Sequence, residues 1–315
     1  MTGDHHELTV GYVARQIPPG SSLGLDIAVL DIAQDFLLTH LRERGLFGDI
    51  VVFKGGTALR KLFAGPEGRF STDLDFAAAD VEVDRTAAAA MVAEEADVTL
   101  GPFRFRPNRS RGRWRISVSS PFGDPPISMK LDVGPPCWLE PDPRQFVPAA
   151  IHQRYGFELP EIPSMRLEEV LAEKIARLAR SPTARDASDL VWAATTSPHS
   201  RFAPDRVRRL AVLKVWVDNH GLRPAWGPAL SPGPFDPETW LSSRDGWDDE
   251  QIGLLTRAPP DLDALEAWLF EYYAWLRDLL DDEIRWAGAD ARHRGEIIAA
   301  IQSLESSAFG GVHLW

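Results

Sequence analysis

Two stretches of the chain alternate between apolar and polar residues, and this alternation restricts them to one local structure. In Phe70–Phe76 it places Asp73 and Asp75 on one side of an extended chain, and in Ile127–Val133 it places Asp132 on one side. A two-residue period is that of a half-buried β-strand, whereas a helix needs a period near 3.6 residues. The sequence therefore predicts a sheet with one apolar face and one face that carries three carboxylates.

Patterns around these stretches predict a mixed α/β domain. Leu25–Arg44 repeats its apolar residues at three- and four-residue steps and predicts a helix, and Ile50–Phe53 predicts a short buried strand that ends at Gly55-Gly56. The other predictions for the first half are a helix at 57–63, a helix at 82–97, a hairpin at 103–119 that turns at 107–112, and a covering loop at 135–163.

The second half is predicted to be mainly helical. Helices are predicted at 167–180 and 204–218, and one long helix at 262–286. A further helix is predicted to begin at a break at 181–182 and to run to 192, and long loops are predicted at 221–260. A chain of 315 residues exceeds the common size of one domain. We therefore predict an α/β (α+β) domain with a mixed sheet over residues 1–165, and a helical domain over residues 166–315 that completes an active-site cleft.

Cysteine content and hydropathy indicate the cellular compartment. Cys137 is the only cysteine, so no internal disulfide is expected, and no run of about 18 apolar residues occurs. The first residues lack the apolar segment of a signal peptide. We expect a cytoplasmic protein without a membrane partner.

The charge distribution limits how the chain can bind nucleic acid. Its formal net charge of −12 argues against coating nucleic acid with the whole surface. One segment differs because it holds arginines and no acid: Arg104, Arg106, Arg109, Arg111, Arg113 and Arg115. Arg104 and Arg106 are predicted to share one strand face, and the arginines at 109–115 have common parity and are predicted to share a face as well. This ribbon is predicted to follow an RNA backbone, with no DNA expected, and the alternative is a solvated charged surface.

The three carboxylates predict a metal site. Carboxylate oxygens are ligands that Mg²⁺ prefers, and Asp73, Asp75 and Asp132 on neighbouring strands suit two ions about 4 Å apart that hold substrate phosphates. Gly55-Gly56-Thr57, between a strand and a helix, offers backbone amides and a hydroxyl to a triphosphate. Each pattern alone also fits a solvated strand or an ordinary turn. Their combination predicts a two-magnesium site for a nucleoside triphosphate.

The order of these motifs resembles that of polymerase-β-like nucleotidyltransferases. The runs KGGTAL at 54–59 and RFSTDLDF at 69–76 resemble motifs of the AbiEii/AbiGii family of toxin nucleotidyltransferases, which includes MenT-like toxins. Downstream, EKIAR at 173–177 and RDASDL at 185–190 are similar to the Glu-Lys and Arg-Asp-x-x-Asp motifs of that family. The resemblance covers roughly residues 50–195.

This resemblance implies roles for particular residues. Asp73 and Asp75 would bind metal, Lys174 would bind the triphosphate, and one of Asp186 and Asp189 would be a further essential group. For the second motif, the alternative is an Arg185–Asp189 pair on an exposed helix. The remaining residues predicted to contact the nucleotide are Gly55, Gly56, Thr57, Arg69, Ser71 and Arg177.

The predicted reaction moves a nucleoside monophosphate from a nucleoside triphosphate to an acceptor hydroxyl, with Asp132 as a candidate base. The family resemblance implies that the acceptor is the 3′ end of a tRNA, that translation stops, and that a cognate antitoxin exists. Two alternatives remain. In the first, the acceptor is a small molecule or a protein hydroxyl. In the second, the chain is a nucleotide-binding partner protein that does not catalyse transfer.

Overall fold

The computed structural model of the protein describes residues 8–20, 23–180, 183–196, 202–220 and 262–304. These residues form two compact units. The sheet unit holds the described residues up to Cys137 together with Pro141–Met165, and the helical unit holds Trp138–Glu140 and the described residues from Arg166 onward. The loops predicted at 221–260 and the break predicted at 181–182 lie outside the described residues.

The sheet unit is built on one mixed sheet, which confirms the predicted α/β class. Its strands are β1 (Val51–Lys54), β2 (Leu74–Ala78), β3 (Thr99–Leu100), β4 (Phe103–Ser110), β5 (Arg113–Ser120), β6 (Gly123–Gly134), β7 (Asp142–Arg144) and β8 (Ile162–Ser164). They lie in the order β3-β4-β5-β6-β2-β1-β8-β7. β2 is parallel to β6 and β1 to β8, and the other pairs are antiparallel.

Helices of the sheet unit precede or connect these strands. They are α1 (Val10–Ala14), α2 (Leu25–Glu43), α3 (Gly55–Ala58) and α4 (Arg85–Glu95). α2 confirms the predicted helix to within one residue. The helix predicted at 57–63 begins earlier, as α3, and continues as a π-helical turn over Leu59–Ala64.

One face of the sheet is apolar and packs against helices. Met129, Leu131 and Val133 of β6 are buried, which confirms the predicted alternation in that strand. Helices α2 and α4 lie against β5 and β6. On the same face Phe36 of α2 meets Phe103 of β4, with ring centroids 5.1 Å apart. Removal of these side chains from water is the main force that holds the helices on the sheet.

Two strand predictions were wrong in extent. β2 begins at Leu74, so Asp73 lies just before the strand rather than within it. Two residues before Asp73, the Ser71 carbonyl accepts a hydrogen bond from the Gln34 side chain of α2 at 3.0 Å. The loop predicted at 135–163 contains β7 and, at its end, most of β8. These strands are short and proline-bearing, so no apolar alternation marks them.

The hairpin of β4 and β5 turns later than predicted. Ser110 pairs with Arg113, so the turn consists of Arg111 and Gly112 alone. Both residues have positive φ, 49° and 79°, which is the backbone of a two-residue type I′ turn. Residues 107–110, predicted to turn, instead continue β4.

The helical unit contains α5 (Leu167–Arg180), α6 (Ala184–Thr195), α7 (Pro204–His220), α8 (Leu262–Tyr272), α9 (Asp281–Ala287) and α10 (Arg294–Ser303). α5 has the predicted bounds. α6 begins after Thr183, whose side chain caps it by accepting a hydrogen bond from the Asp186 amide. The buried Tyr273 hydroxyl donates to the Leu190 carbonyl at 2.8 Å. Among the described residues, no helix is both long and apolar enough to span a bilayer.

The long helix predicted at 262–286 is wrong, because two helices and a 3₁₀ turn occupy that stretch. α8 ends at Tyr272 and Ala274–Arg277 forms the turn. α9 has its own start signal: the Leu280 amide donates to the Glu283 carboxylate at 2.9 Å, and three consecutive acids fill the first turn. Carboxylates stabilise a helix N-terminus. Apolar residues recur across the break, and periodicity therefore did not reveal it.

The two turn residues between β4 and β5 generate a stability prediction. Arg111→Asn should raise the free energy of unfolding by about 0.5–1 kcal/mol, because Asn tolerates positive φ better than Arg. Gly112→Ala should lower it by about 1 kcal/mol through backbone strain alone, since open space surrounds that glycine. Chemical denaturation measures both values. Equal stability of Gly112→Ala and the parent would contradict the assigned turn.

Candidate active site

Two of the predicted carboxylates are neighbours on the polar face of the sheet. Asp75 of β2 pairs in register with Asp132 of β6, and cross-strand partners lie about 5 Å apart on one face. Asp75 is half-buried and Asp132 is exposed. Asp73 is half-buried and precedes β2 by one residue. The described fold therefore brings Asp75 and Asp132 together and places Asp73 at the strand entrance.

The glycines of the Gly55-Gly56 turn lie directly under functional side chains. Gly55 has φ of 80°, and a Cβ there would lie 2.5 Å from Oδ2 of Asp75. A Cβ on Gly56 would lie 2.7 Å from Nη2 of Arg69 and 3.1 Å from Oγ of Ser71. Such distances exclude a side chain at either glycine without displacement of its neighbour. The turn thus gathers the predicted Arg69, Ser71 and Asp75 around bare backbone.

The hydroxyl of Thr57, a predicted phosphate contact, has a partner within the protein. Thr57 is fully buried, and its hydroxyl donates a hydrogen bond to the backbone carbonyl of Asp73. This hydroxyl therefore contacts the segment before β2 and ties the backbone of Asp73 to α3.

A buried ion network fixes the chain between α3 and β2. The guanidinium of Arg60 forms two hydrogen bonds to the Asp31 carboxylate, at 2.9 and 3.2 Å. It also donates to the carbonyls of Gly65 and Gly68 and lies 3.9 Å from the centroid of the Phe70 ring. Arg60 thereby ties α2 to the loop that leads to Arg69 and Ser71.

The same network is electrostatically balanced. Lys61 lies 2.7 Å from the Asp31 carboxylate and 2.8 Å from that of Asp35, and Tyr155 donates to Asp35 at 2.5 Å. Burial alone would raise the pKa of Asp31, but the charges and hydrogen bonds of Arg60 and Lys61 outweigh burial and hold that pKa below its ordinary value. Asp31 is therefore ionised around neutral pH and anchors the loop through Arg60.

The carboxylates fit a metal only in part. In the parts of the chain that the structure describes, no group of three or more His, Cys, Asp or Glu side chains is arranged to hold an ion. The predicted three-carboxylate set is thus not assembled by the protein alone. Mg²⁺, however, is usually bound through one or two carboxylates together with waters and substrate phosphates. Asp75 and Asp132 fit an ion of that kind.

The helical unit gathers the second predicted motif. The Lys174 ammonium lies 3.1 Å from the Asp186 carboxylate and 2.6 Å from that of Asp189, and all three side chains are buried. Arg177 is half-exposed and lies 3.7 Å from Asp186. The anions that offset the Lys174 charge are therefore two carboxylates of the chain itself, and both predicted acids contact the lysine.

The arginine ribbon divides between the two faces of the sheet. Registers of β4, β5 and β6 place five basic residues on the polar face with Asp75 and Asp132: Arg104, Arg106, Arg113, Arg115 and Lys130. Arg115 pairs directly with Lys130. Arg109 instead pairs with Trp114 on the opposite face, with its guanidinium carbon 5.7 Å from the ring centroid, and Arg111 is in the turn. The predicted common face of residues 109–115 is therefore wrong.

Two lysines on the polar face were absent from the predicted site. Lys130 lies in the alternating stretch, two positions before Asp132, and its parity marks it as a member of that face. Lys54 ends β1 and pairs in register with Asp75. Its place could be found only from the strand order, because residues 54 and 75 lie far apart in the chain.

The fold is shared with a solved nucleotidyltransferase. The toxin MenT4 of Mycobacterium tuberculosis H37Rv matches with a TM-score of 0.79 and 38% sequence identity, over 95% of this chain and 100% of that chain. The mixed sheet and the nucleotide-transfer motifs on it thus define this protein as a nucleotidyltransferase.

The family is narrower than that class. The family described as nucleotidyl transferase AbiEii toxin of type IV toxin–antitoxin systems matches residues 37–285, so the chain belongs to the AbiEii family. A search of curated proteins finds no match. JHP933 and a nucleotidyltransferase of Helicobacter pylori match at 17% identity with TM-scores of 0.48 and 0.42, over 84% and 77% of this chain and 97% and 95% of theirs. Similarity of that degree does not inform function.

The buried lysine of the helical unit generates a second prediction. Lys174→Met should lower the free energy of unfolding by about 3 kcal/mol or more, because it leaves two buried carboxylates without their cation. Arg177→Met is the matched control and should change it by less than about 0.5 kcal/mol, since that side chain is half-exposed. Urea denaturation measures both. Similar losses in the two variants would show that Lys174 is not the centre of the cluster.

Proposed function

We propose that this protein transfers a nucleoside monophosphate from a nucleoside triphosphate to the 3′ end of a tRNA and thereby blocks translation. The observation that carries the proposal is the in-register pair of Asp75 and Asp132, beside a glycine turn on which Arg69 and Ser71 converge. Membership of a toxin nucleotidyltransferase family supports the reaction class. A cognate antitoxin is the expected partner, as in other type IV systems, and the expected location is the cytoplasm.

Each residue of this face has a proposed task. Asp75 and Asp132, joined by Asp73 from the strand entrance, would hold two Mg²⁺ ions, which supply charge neutralisation to the phosphates when bound. The backbone amides of Gly55 and Gly56 would contact the triphosphate. Arg69 and Ser71, which lie against Gly56, would add hydrogen bonds to its oxygens.

The transfer step follows from these positions. The acceptor hydroxyl oxygen attacks the α-phosphorus, a new phosphorus–oxygen bond forms, and the bond to pyrophosphate breaks. Asp132 is the exposed member of the pair, and we propose that it takes the proton of the incoming hydroxyl. The departing pyrophosphate keeps its contacts with the glycine turn and Arg69.

Lys174, Asp186 and Asp189 are proposed as a second essential group on the basis of the family motifs. A buried ammonium between two carboxylates carries little spare charge for a phosphate. Arg177 of the same helix is more exposed and is therefore the cation of this motif that is accessible to an anion. We propose that Lys174 orders the two acids and that Arg177 offers charge to phosphate.

The polar face also suits an RNA backbone. Arg106, Arg113, Arg115 and Lys130 are exposed there, whereas Arg104 is paired with Asp97 at 2.5 Å. These cations span three adjacent strands that lead directly to Asp132, so a bound strand would place its end near the carboxylates. Counterion release from phosphates provides affinity even for a protein of net charge −12.

One experiment tests the reaction and its acceptor together. The protein is incubated with each labelled nucleoside triphosphate in turn and with total RNA, cell protein and small metabolites, and labelled products are separated by size and class. Label at the tRNA 3′ end is expected. Label confined to protein or to small molecules would replace the acceptor, and absence of pyrophosphate release would point to a partner protein without turnover.

Conservative variants of the paired carboxylates give a third prediction. Asp75→Asn and Asp132→Asn should each lower transfer by at least about a hundredfold and abolish growth arrest, because an amide cannot replace a carboxylate as a metal ligand. Unfolding measurements should show that both variants stay folded, since removal of one of two adjacent negative charges relieves repulsion. Near-parental transfer by either variant would refute the assigned site.

The basic face gives a fourth prediction with a control on the opposite side of the same hairpin. Replacing Arg106, Arg113 and Arg115 together by Gln should weaken tRNA binding. It should also reduce the slope of log affinity against log salt by about 0.7–0.9 for each phosphate that the variant no longer neutralises. Arg109→Gln, which changes the other face, should bind RNA as the parent does. Equal salt slopes for the triple variant and the parent would exclude this face as the RNA site.

A further inference from the structure

Lys54 lies within the acidic face rather than on the exposed basic part of it. It is the last residue of β1, it is half-buried, and it pairs in register with Asp75. Asp75 pairs in turn with Asp132. A lysine therefore shares one row of the sheet with the two carboxylates proposed to hold metal.

Lys54 extends to the position of Gly134, where β6 carries no side chain. Gly134 follows Asp132 by two residues on β6, so a side chain there would project from the same face. The Lys54 Nζ and Cε atoms lie 3.4 and 3.5 Å from where the Cβ of residue 134 would be. The ammonium thus crosses β2 and lies beside Gly134, two residues from Asp132 on the same face. Nothing in the conformation of Gly134 demands glycine, since its φ is not positive.

A fixed ammonium here changes the charge that an arriving cation meets. Asp75 and Asp132 bring two negative charges to this row, and Lys54 cancels one of them. At a separation of several ångströms, in a half-buried setting, repulsion between an ammonium and a divalent ion amounts to more than a tenfold change in binding. Lys130 on the same face is exposed, so water and salt screen its charge much more strongly.

We propose that Lys54 is a positioning residue that serves as the built-in counter-cation of this face and keeps its affinity for free divalent ions low. The phosphates of the nucleotide then supply the missing negative charge, so metal and nucleotide bind together. Without nucleotide, Lys54 holds Asp75 and Asp132 side by side against their mutual repulsion. The inference rests on the proposed metal role of Asp75 and Asp132.

Manganese binding by the full chain without nucleotide tests this role directly. Free Mn²⁺ is followed by electron paramagnetic resonance during titration of the parent, Lys54→Met, Lys54→Arg and Gly134→Val. Lys54→Met should bind Mn²⁺ at least about tenfold more tightly than the parent, and Mn²⁺ should raise its melting temperature by more. Lys54→Arg keeps the charge and should stay close to the parent. In Gly134→Val the γ-methyl groups extend beyond that Cβ position toward the ammonium, so they should displace the charge without removing it and give an intermediate affinity.

The variants separate failure of this inference from failure of the proposed site. If Lys54→Met binds Mn²⁺ no more tightly than the parent, and Asp132→Asn binds it more weakly, the role of Lys54 is overturned and the metal site stands. Asp132→Asn that binds Mn²⁺ as the parent does would overturn the metal site and this inference with it. If Lys54→Met does not fold, Gly134→Val decides the matter, because unchanged Mn²⁺ affinity in that variant contradicts the proposal.

Discussion

The parallel pairing of β2 with β6 is the constraint on which the rest of the site depends. It sets Asp75 beside Asp132, although the two residues are far apart in the chain. A shift of one residue in this register would turn Asp132 to the buried face and Val133 to the polar face. Such a shift would bury a carboxylate among apolar side chains, which is costly. The hydrophobic packing of the sheet against α2 and α4 therefore also determines that Asp75 and Asp132 lie side by side on the polar face.

Buried side chains of the sheet unit hold in place the loop that carries Arg69 and Ser71. Arg60 reaches from the π-helical turn to Asp31 on α2 and to two backbone carbonyls of the loop. A buried cation needs such partners, since an unpaired one is strongly unfavourable. The network therefore specifies one loop conformation. Arg69 and Ser71 follow directly and lie over Gly56, so the core network and the proposed phosphate contacts are continuous along the chain.

Opposite charges occupy adjoining parts of one sheet face. Asp75 and Asp132 lie at its centre, and exposed cations follow on β4, β5 and β6. In a protein of net charge −12, a local basic face would restrict the proposed RNA contact to one place on the surface. Lys54 is a cation, but it lies in the acidic part of the face, beside Asp75, and its charge acts on the carboxylates.

Residue patterns were sufficient for the alternation in β6, for α2 and α5 and for the motifs that carry the family resemblance, because local periodicity and turn residues encode these features. They were insufficient wherever long-range contacts decide. Thr57 turned toward the Asp73 carbonyl, the bases of the hairpin divided between two faces, and Lys174 was buried between two acids. Likewise, the helix predicted at 262–286 is interrupted where Glu283 caps the start of α9. Periodicity describes one element at a time, whereas register, burial and ion pairing depend on which elements become neighbours.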